Sequence, residues 1–275
     1  MKKDVKYVLG CIRRADQDFG LIAPGDRILI GVSGGKDSMT LLECLRLYKM
    51  FLQQSIDIVA GTVDMGLGMD MEPIRHKCED YGIPYVVIST DIAKLVFEQR
   101  KEKNPCSLCA RMRRGALTNL AIEQGCNKIA LGHNREDVLE TFLLSMLYEG
   151  HIHTFSPLTW LDRSDIVQIR PMIYVPEAKI LGVVRYLELP IVKTVCPVAG
   201  NTKREEMKRL LQAMTRVKPD AQQMMLRALK DTQRYSLWDK VKRRPPKNCR
   251  ERNCGNGDIL LSDYPISDKC DIITE

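Results

Sequence analysis

Long apolar runs are missing from this 275-residue sequence, which excludes a chain anchored by a membrane-spanning helix. A signal-peptide pattern is missing too, since the first residues, MKKDVKYVLGCIRRADQDF, form a charged amphipathic stretch. Together these absences predict a cytoplasmic protein with no membrane partner. The excess of positive charge is small, because a formal net charge of +7 permits an anionic partner without identifying one.

A second Cys-x-x-Cys motif is also missing, so the single pair Cys106 and Cys109 lacks the partner pair of a zinc finger. Cys249 and Cys254 have four residues between them and are therefore a poor second pair of zinc ligands. A lone pair fits zinc, a redox couple or an iron–sulfur cluster, whereas three cysteines, with Cys196 as the third, would suit a cubane cluster with one open iron. The cysteines in predicted helices or at their ends are expected to be buried thiols: Cys11, Cys44, Cys78 and Cys126.

The order of predicted elements indicates an α/β protein with a parallel sheet. Strands are expected at 27–32, 56–63, 85–89 and 128–131, and helices at 4–18, 39–50, 72–81 and 136–148. Ligands bind such sheets at the carboxyl ends of the strands. We expect an N-terminal helix (1–24), a catalytic domain (25–200) and a basic helical extension (201–275) whose tail beyond Trp238 is loop-like.

The most informative stretch follows the first strand and precedes a helix: Ser33, Gly34, Gly35, Lys36, Asp37 and Ser38. Its glycines let the backbone approach a ligand, while the helix N-terminus and Lys36 attract a phosphate. Lys36 and Asp37 are expected at the triphosphate as catalytic residues. The spacing is not that of a Walker loop. SGGKDS resembles the pyrophosphate loop, or PP-loop, of enzymes that split ATP into AMP and pyrophosphate.

Further polar residues follow the other strands. Asp64 ends the second strand, while Gly132 and His133 follow the fourth, so all three should lie beside SGGKDS. Glu136 and Asp137 fall in the first turn of the next helix, where acids complement the helix dipole. Beside a triphosphate, such a carboxylate can also hold Mg²⁺.

Several separated motifs occur in the order GDRILIGVSGGKDS, PCSLCARMRRGAL, ALGHNREDVLET and IRPMIYVPE, followed by a third cysteine. This order resembles the TtcA-type tRNA thiolation enzymes over roughly residues 5–210. The resemblance implies a PP-loop ATPase core of the adenine-nucleotide hydrolase type and ATP-dependent replacement of a tRNA base oxygen by sulfur. It also implies a 4Fe-4S cluster on Cys106, Cys109 and Cys196.

The same resemblance gives roles to two more residues. Asp137 corresponds to the family's carboxylate near the reacting phosphate, and Arg113 to a catalytic basic residue after the cysteine pair. Contact with the RNA backbone is an equal alternative for Arg113. The missing N-terminal Cys-x-x-Cys favours the TtcA-type branch, and with it replacement of the C2 oxygen of a cytidine in the anticodon loop, over the 2-thiouridine enzymes, which remain an alternative.

The expected partners are tRNA, a sulfur donor (a cysteine desulfurase or free sulfide) and a second copy in a homodimer. Basic residues could form a tRNA-binding face: Arg111, Arg113, Arg114 and those of 203–218 and 240–247. Two other classes stay open, namely a PP-loop ligase acting on a small molecule and a sulfurtransferase that forms a persulfide.

Overall fold

A six-stranded sheet forms the centre of the computed structural model, which describes residues 2–52, 55–100, 105–192, 196 and 203–230. The strands are β1 (Arg27–Gly31), β2 (Asp57–Asp64), β3 (Tyr85–Ser89), β4 (Lys128–Ala130), β5 (Leu158–Leu161) and β6 (Ile166–Ile169). Their spatial order is β3-β2-β1-β4-β6-β5. All neighbouring pairs are parallel except β5 with β6. The predicted α/β class with a parallel sheet is confirmed.

The strand order reverses at β1. From β1 the chain adds β2 and β3 on one side and then returns to place β4 and β6 on the other. The loops after β1 and β4 therefore diverge and leave a crevice between the carboxyl ends of these two strands. This reversal puts the glycine-rich loop and the turn after β4 next to each other.

The described helices cover both faces of the sheet. They are α1 (Lys3–Phe19), α2 (Lys36–Phe51), α3 (Glu72–Asp80), α4 (Pro105–Glu123), α5 (Arg135–Leu144), α6 (Glu177–Leu187), α7 (Lys203–Val217) and α8 (Ala221–Lys230). Two π-helical segments, Lys94–Arg100 and Ser145–Glu149, join them. No helix among the described residues is long and apolar enough to cross a membrane.

Alternation along β1 separates two cores. Ile28 and Ile30 pack with the apolar faces of α1, α2 and α6, while Leu29 packs with α4 on the opposite face. A third cluster joins α5 to α7 through Leu139, Leu143, Met207 and Leu211. The four cysteines expected to be buried thiols, Cys11, Cys44, Cys78 and Cys126, are buried.

Three expectations about local structure were wrong or incomplete. The helix after the glycine loop begins at Lys36 rather than at residue 39, because Gly35 is already its N-cap. The α-helix expected over 136–148 ends at Leu144, and the wider π-helical turns that follow end at Gly150 in the left-handed conformation. The hairpin of β5 and β6 and helix α6 were not predicted, since the strands are only four residues long.

Helices α7 and α8 belong to the same compact unit as the sheet, Met1–Asp231. The proposed division of the chain near residues 24 and 200 stays a prediction. The expectation of a loop-like tail beyond Trp238 lies outside the described residues, as do Cys249 and Cys254.

Candidate active site

The loop between β1 and α2 contains a turn that requires glycine. Gly34 has a φ of +74°, and a Cβ there would lie 2.9 Å from the Cβ of Val192. The Ser38 hydroxyl accepts a hydrogen bond from the Ser33 N–H (3.1 Å) and donates one to the Gly35 carbonyl (3.0 Å). These bonds brace the loop at the N-terminus of α2, where no side chain caps the helix. The loop is therefore suited to bind an anion.

Lys36, the first residue of α2, lies between two carboxylates. Its Nζ is 2.7 Å from Asp37 Oδ2 and 3.1 Å from Oε1 of Glu177 at the start of α6. Burial alone would lower the pKa of Lys36, but the interactions with Asp37 and Glu177 outweigh burial and raise this pKa above its ordinary value. Lys36 therefore carries a full positive charge at neutral pH.

The turn after β4 packs against the N-terminus of α2. A Cβ on Gly132 would lie 3.0 Å from the backbone carbon of Asp37, so this approach requires glycine. Asn134 and Asp137 form a capping box at the start of α5, and the Asn134 amide also donates to Asp37 Oδ1 at 2.9 Å. Asn134, to which the sequence analysis gave no role, thus connects the two predicted catalytic carboxylates.

A cavity of about 540 Å³ opens at the carboxyl ends of the strands, and its size is typical of nucleotide-sized ligands. Most of the predicted site residues line it: Ser33, Asp37, Ser38, Asp64, Arg113, Gly132, His133 and Asp137. Gly34 and Gly35 form the turn beside it. Lys36 instead faces a smaller cavity of about 210 Å³, which shares Asp37 and Asp137 with the larger one. The topology therefore gathers residues that are far apart in the sequence.

His133 gives the larger cavity a neutral ring. Burial is the main cause that lowers the pKa of His133 to about 3, and the positive charges of Arg170, Arg204 and Arg114 act in the same direction. Its ring centroid lies 4.8 Å from that of Phe155. The imidazole is consequently uncharged at neutral pH and is suited to hydrogen bonding or ring contact rather than to neutralising a phosphate.

Helix α7 supplies two cations to the smaller cavity. Arg204 Nη1 lies 3.4 Å from Asp137 Oδ1, and Arg204 Nη2 donates to Thr141 Oγ1 at 3.0 Å. Lys208 Nζ lies 3.2 Å from Glu177 Oε1, the oxygen that Lys36 also approaches. Sequence reasoning assigned these residues only to a basic RNA-facing surface, since the position of α7 depends on tertiary packing.

The carboxylates of the smaller cavity have shifted acidities. Burial raises the pKa of Asp137 above its ordinary value, although the Asn134 N–H and Arg204 oppose the shift. Burial and the charge of Asp137 raise the pKa of Glu140 to about 7. Burial would also raise the pKa of Glu177, but Lys36 and Lys208 hold it below its ordinary value. Sequence analysis gave no role to Glu140 or Glu177. Their only sequence signal was their place in the motifs ALGHNREDVLET and IRPMIYVPE.

Among the three predicted cluster cysteines, Cys109 is close enough to both Cys106 and Cys196 for their charges to act on it. Cys106 and Cys109 are in the first turns of α4, and Cys196 is described between two undescribed segments. Burial raises the pKa of the Cys109 thiol; Arg113 opposes the shift, and the charges of Cys196 and Cys106 add to it. Three thiols within electrostatic range are a donor set that fits an iron–sulfur cluster. Within the described part of the chain, however, no three metal-binding side chains are already arranged around one point.

Comparison with known proteins agrees with this geometry. Residues 11–193 match the PP-loop domain family. The tRNA-cytidine(32) 2-sulfurtransferase of Geobacter metallireducens is 37% identical over 87% of this chain and 95% of its own length. The enzymes of the same name from Geobacter sulfurreducens and Coxiella burnetii are 38% and 35% identical, over 85% and 86% of this chain and 93% and 94% of their own lengths.

A solved structure supports the fold. The U34-tRNA thiolase NcsA from Methanococcus maripaludis, determined with its 4Fe-4S cluster, superposes with a TM-score of 0.72. It is 24% identical and covers 87% of this chain and 83% of its own. The chain therefore belongs to the PP-loop domain family and, within it, to the family of the tRNA-cytidine(32) 2-sulfurtransferases.

Proposed function

We propose that this chain is an ATP-dependent tRNA sulfurtransferase that replaces the C2 oxygen of a cytidine in the anticodon loop, at position 32, by sulfur. The observation that carries the proposal is the similarity to sulfurtransferases of that name over 93–95% of their own lengths for the two Geobacter enzymes. The cavity beside the SGGKDS loop supports it, because the loop, Lys36 and the ends of four strands offer room and charge for a nucleotide.

The reaction requires that a poor leaving group be activated. The C2 oxygen of the pyrimidine attacks the α-phosphorus of ATP, a new oxygen–phosphorus bond forms, and pyrophosphate leaves. Sulfide then attacks C2, and the oxygen departs with AMP. In the first step, negative charge develops on the leaving pyrophosphate, and the backbone N–H groups of the loop and Lys36 stabilise it.

The individual roles stay predictions that the geometry supports. Ser33 to Ser38 would surround the β- and γ-phosphates, while Asp64, Gly132 and His133 would line the nucleoside side of the cavity. Asp37 and Asp137 lie between the two cavities, where Mg²⁺ that accompanies ATP needs one or two carboxylates. Arg113 lines the larger cavity and its charge opposes the rise in the pKa of Cys109, which supports a role for it beside the predicted cluster cysteines.

Cys106, Cys109 and Cys196 would hold a 4Fe-4S cluster, and such a cluster with three protein ligands supplies sulfide at its free iron. The chain's own contribution is to place two of these thiols, Cys106 and Cys109, at the start of α4, on the helix that also carries Arg113. The sulfur donor, a cysteine desulfurase or free sulfide, stays a prediction. A homodimer and a cytoplasmic location also stay predictions.

The product tests the proposed function directly. Protein purified without oxygen and incubated with ATP, sulfide and unmodified tRNA should form 2-thiocytidine, identified by mass spectrometry of the digested nucleosides. A tRNA with cytidine 32 changed to uridine serves as the control. Thiolation of uridine 34 instead would favour the 2-thiouridine alternative, and absence of any thionucleoside together with amide formation on a small molecule would contradict the proposal.

Arg204→Gln tests the contribution of α7. Burial raises the pKa of Asp137 and Arg204 opposes this rise, so loss of Arg204 should raise that pKa further. Asp137 would then be protonated at higher pH, and the acidic limb of the pH profile of AMP formation should move upward. Arg209→Gln, at an exposed position on the same helix, should leave the profile unchanged. Identical profiles for both variants would show that Arg204 does not act on the carboxylate.

A further inference from the structure

Three arginines that belong neither to the SGGKDS loop nor to α2 line the larger cavity. Arg113 and Arg114 come from α4, and Arg170 follows β6; we call this set the cationic wall. No ion pair between described residues includes any of the three. Within the described part of the chain, none of the three arginines is therefore paired directly with a carboxylate.

Arg170 is the buried member of the cationic wall, with only 6% of its surface exposed. Its Nη1 donates to the Ser156 carbonyl and to Thr159 Oγ1, and its guanidinium carbon lies 4.9 Å from the centroid of the Phe155 ring. These contacts fix the guanidinium plane. Nε is also buried and has no hydrogen-bond partner among the described residues.

A buried guanidinium without a carboxylate is costly, yet Arg170 stays charged. Burial, followed by the charge of Arg114, lowers the pKa of Arg170 to about 10, which still leaves it protonated at neutral pH. Isolated buried charges destabilise a fold unless an opposite charge meets them. An anionic ligand in the cavity would supply that charge, and a guanidinium fork suits phosphate oxygens.

Arg114 connects this buried charge to the surface. It is exposed on α4, lines the same cavity, and its charge acts on both Arg170 and His133. The cationic wall thus combines an exposed arginine with a buried one along the same cavity. The SGGKDS loop, at the start of α2, is a separate part of the cavity lining and already offers a phosphate site.

We propose that Arg114 and Arg170 form a second phosphate site, which binds a backbone phosphate of the tRNA strand beside the target nucleotide. The inference rests on the proposed function, because it assigns the RNA to a site that reaches the surface and ATP to the SGGKDS loop. The target nucleotide then enters between α4 and the end of β6. The Phe155 ring, which lines the same cavity, offers an uncharged face to its base.

Two binding measurements test the inference on the full chain. Arg114→Gln, at an exposed helical position that should not disturb folding, should weaken tRNA binding about tenfold at low salt. It should also reduce the slope of log affinity against log salt by about one, as expected for one lost phosphate contact. Affinity for ATP, measured without tRNA, should stay unchanged. Arg170→Lys, which keeps the charge and loses the fork, should weaken tRNA binding in the same direction.

Arg163→Gln is the matched control, because it removes an exposed positive charge from the turn between β5 and β6, outside both cavities. It should bind tRNA like the unchanged protein. A loss of ATP affinity with unchanged tRNA affinity in Arg114→Gln would assign the phosphate to the nucleotide and overturn the inference. Equal tRNA binding by Arg114→Gln and the unchanged protein would overturn it too. An unchanged protein that binds no tRNA would instead overturn the proposed function, and this inference with it.

Discussion

Replacing Lys36 by alanine should reduce AMP and pyrophosphate formation by about 10²- to 10³-fold, as expected when a preorganised group loses contact with developing charge. Lys36 begins α2 beside the phosphate loop, and its Nζ is held within about 3 Å of two carboxylates, at 2.7 Å and 3.1 Å. The measurement is release of labelled pyrophosphate in the presence of tRNA. The thermal unfolding midpoint should change little, because Lys36 is partly exposed and lies outside the apolar cores.

Lys49→Ala is the matched control for this variant. Lys49 lies near the other end of the same helix, is exposed, and pairs only loosely with Asp57 at 3.8 Å. Its loss should leave pyrophosphate release unaffected. Normal AMP and pyrophosphate production by Lys36→Ala would contradict the phosphate role proposed for Lys36.

Replacing Cys106, Cys109 or Cys196 by alanine should abolish thiolation and leave ATP binding intact. ATP binding should survive because the cluster and the phosphates would use different parts of the chain. The thiols lie at the start of α4 and beyond α6, whereas the phosphates would bind at α2. Protein purified without oxygen should be brown and contain about four irons per chain, and each variant should lose colour and iron together. Iron and acid-labile sulfide analysis therefore measures the site independently of activity.

Cys249→Ala and Cys254→Ala control for general effects of thiol loss, since the resemblance to the thiolation enzymes ends near residue 210. Both should retain iron and thiolation. Stoichiometric zinc in a thiolation-active preparation would contradict the cluster proposal and assign the three cysteines to a structural metal site. Retained iron in all three single variants would show that the ligands lie elsewhere in the chain.

The sequence alone determined the parts of this protein whose chemistry is local. A strand, two glycines and a helix start are contiguous in residues 27–38, so the phosphate loop could be recognised without any tertiary information. The acids Glu136 and Asp137 after β4 indicated the first turn of a helix, and regular alternation of strands and helices indicated a parallel sheet with these loops at one edge. Short-range rules were sufficient because each feature lies within about twelve residues.

Only the tertiary structure decided which distant residues share the site. From the sequence, Arg204 and Lys208 were assigned only to a possible tRNA-binding face. Packing of Met207 and Leu211 against α5 places them beside Asp137 and Glu177. Sequence reasoning assigned no role to Arg170, because strand β6 before it was not predicted. Its burial beside Phe155 follows from the hairpin of β5 and β6. Burial and charge–charge contacts depend on residues that are distant in the sequence. The raised pKa of Glu140 and the grouping of three arginines in the cationic wall therefore could not be predicted from the neighbouring residues in the sequence.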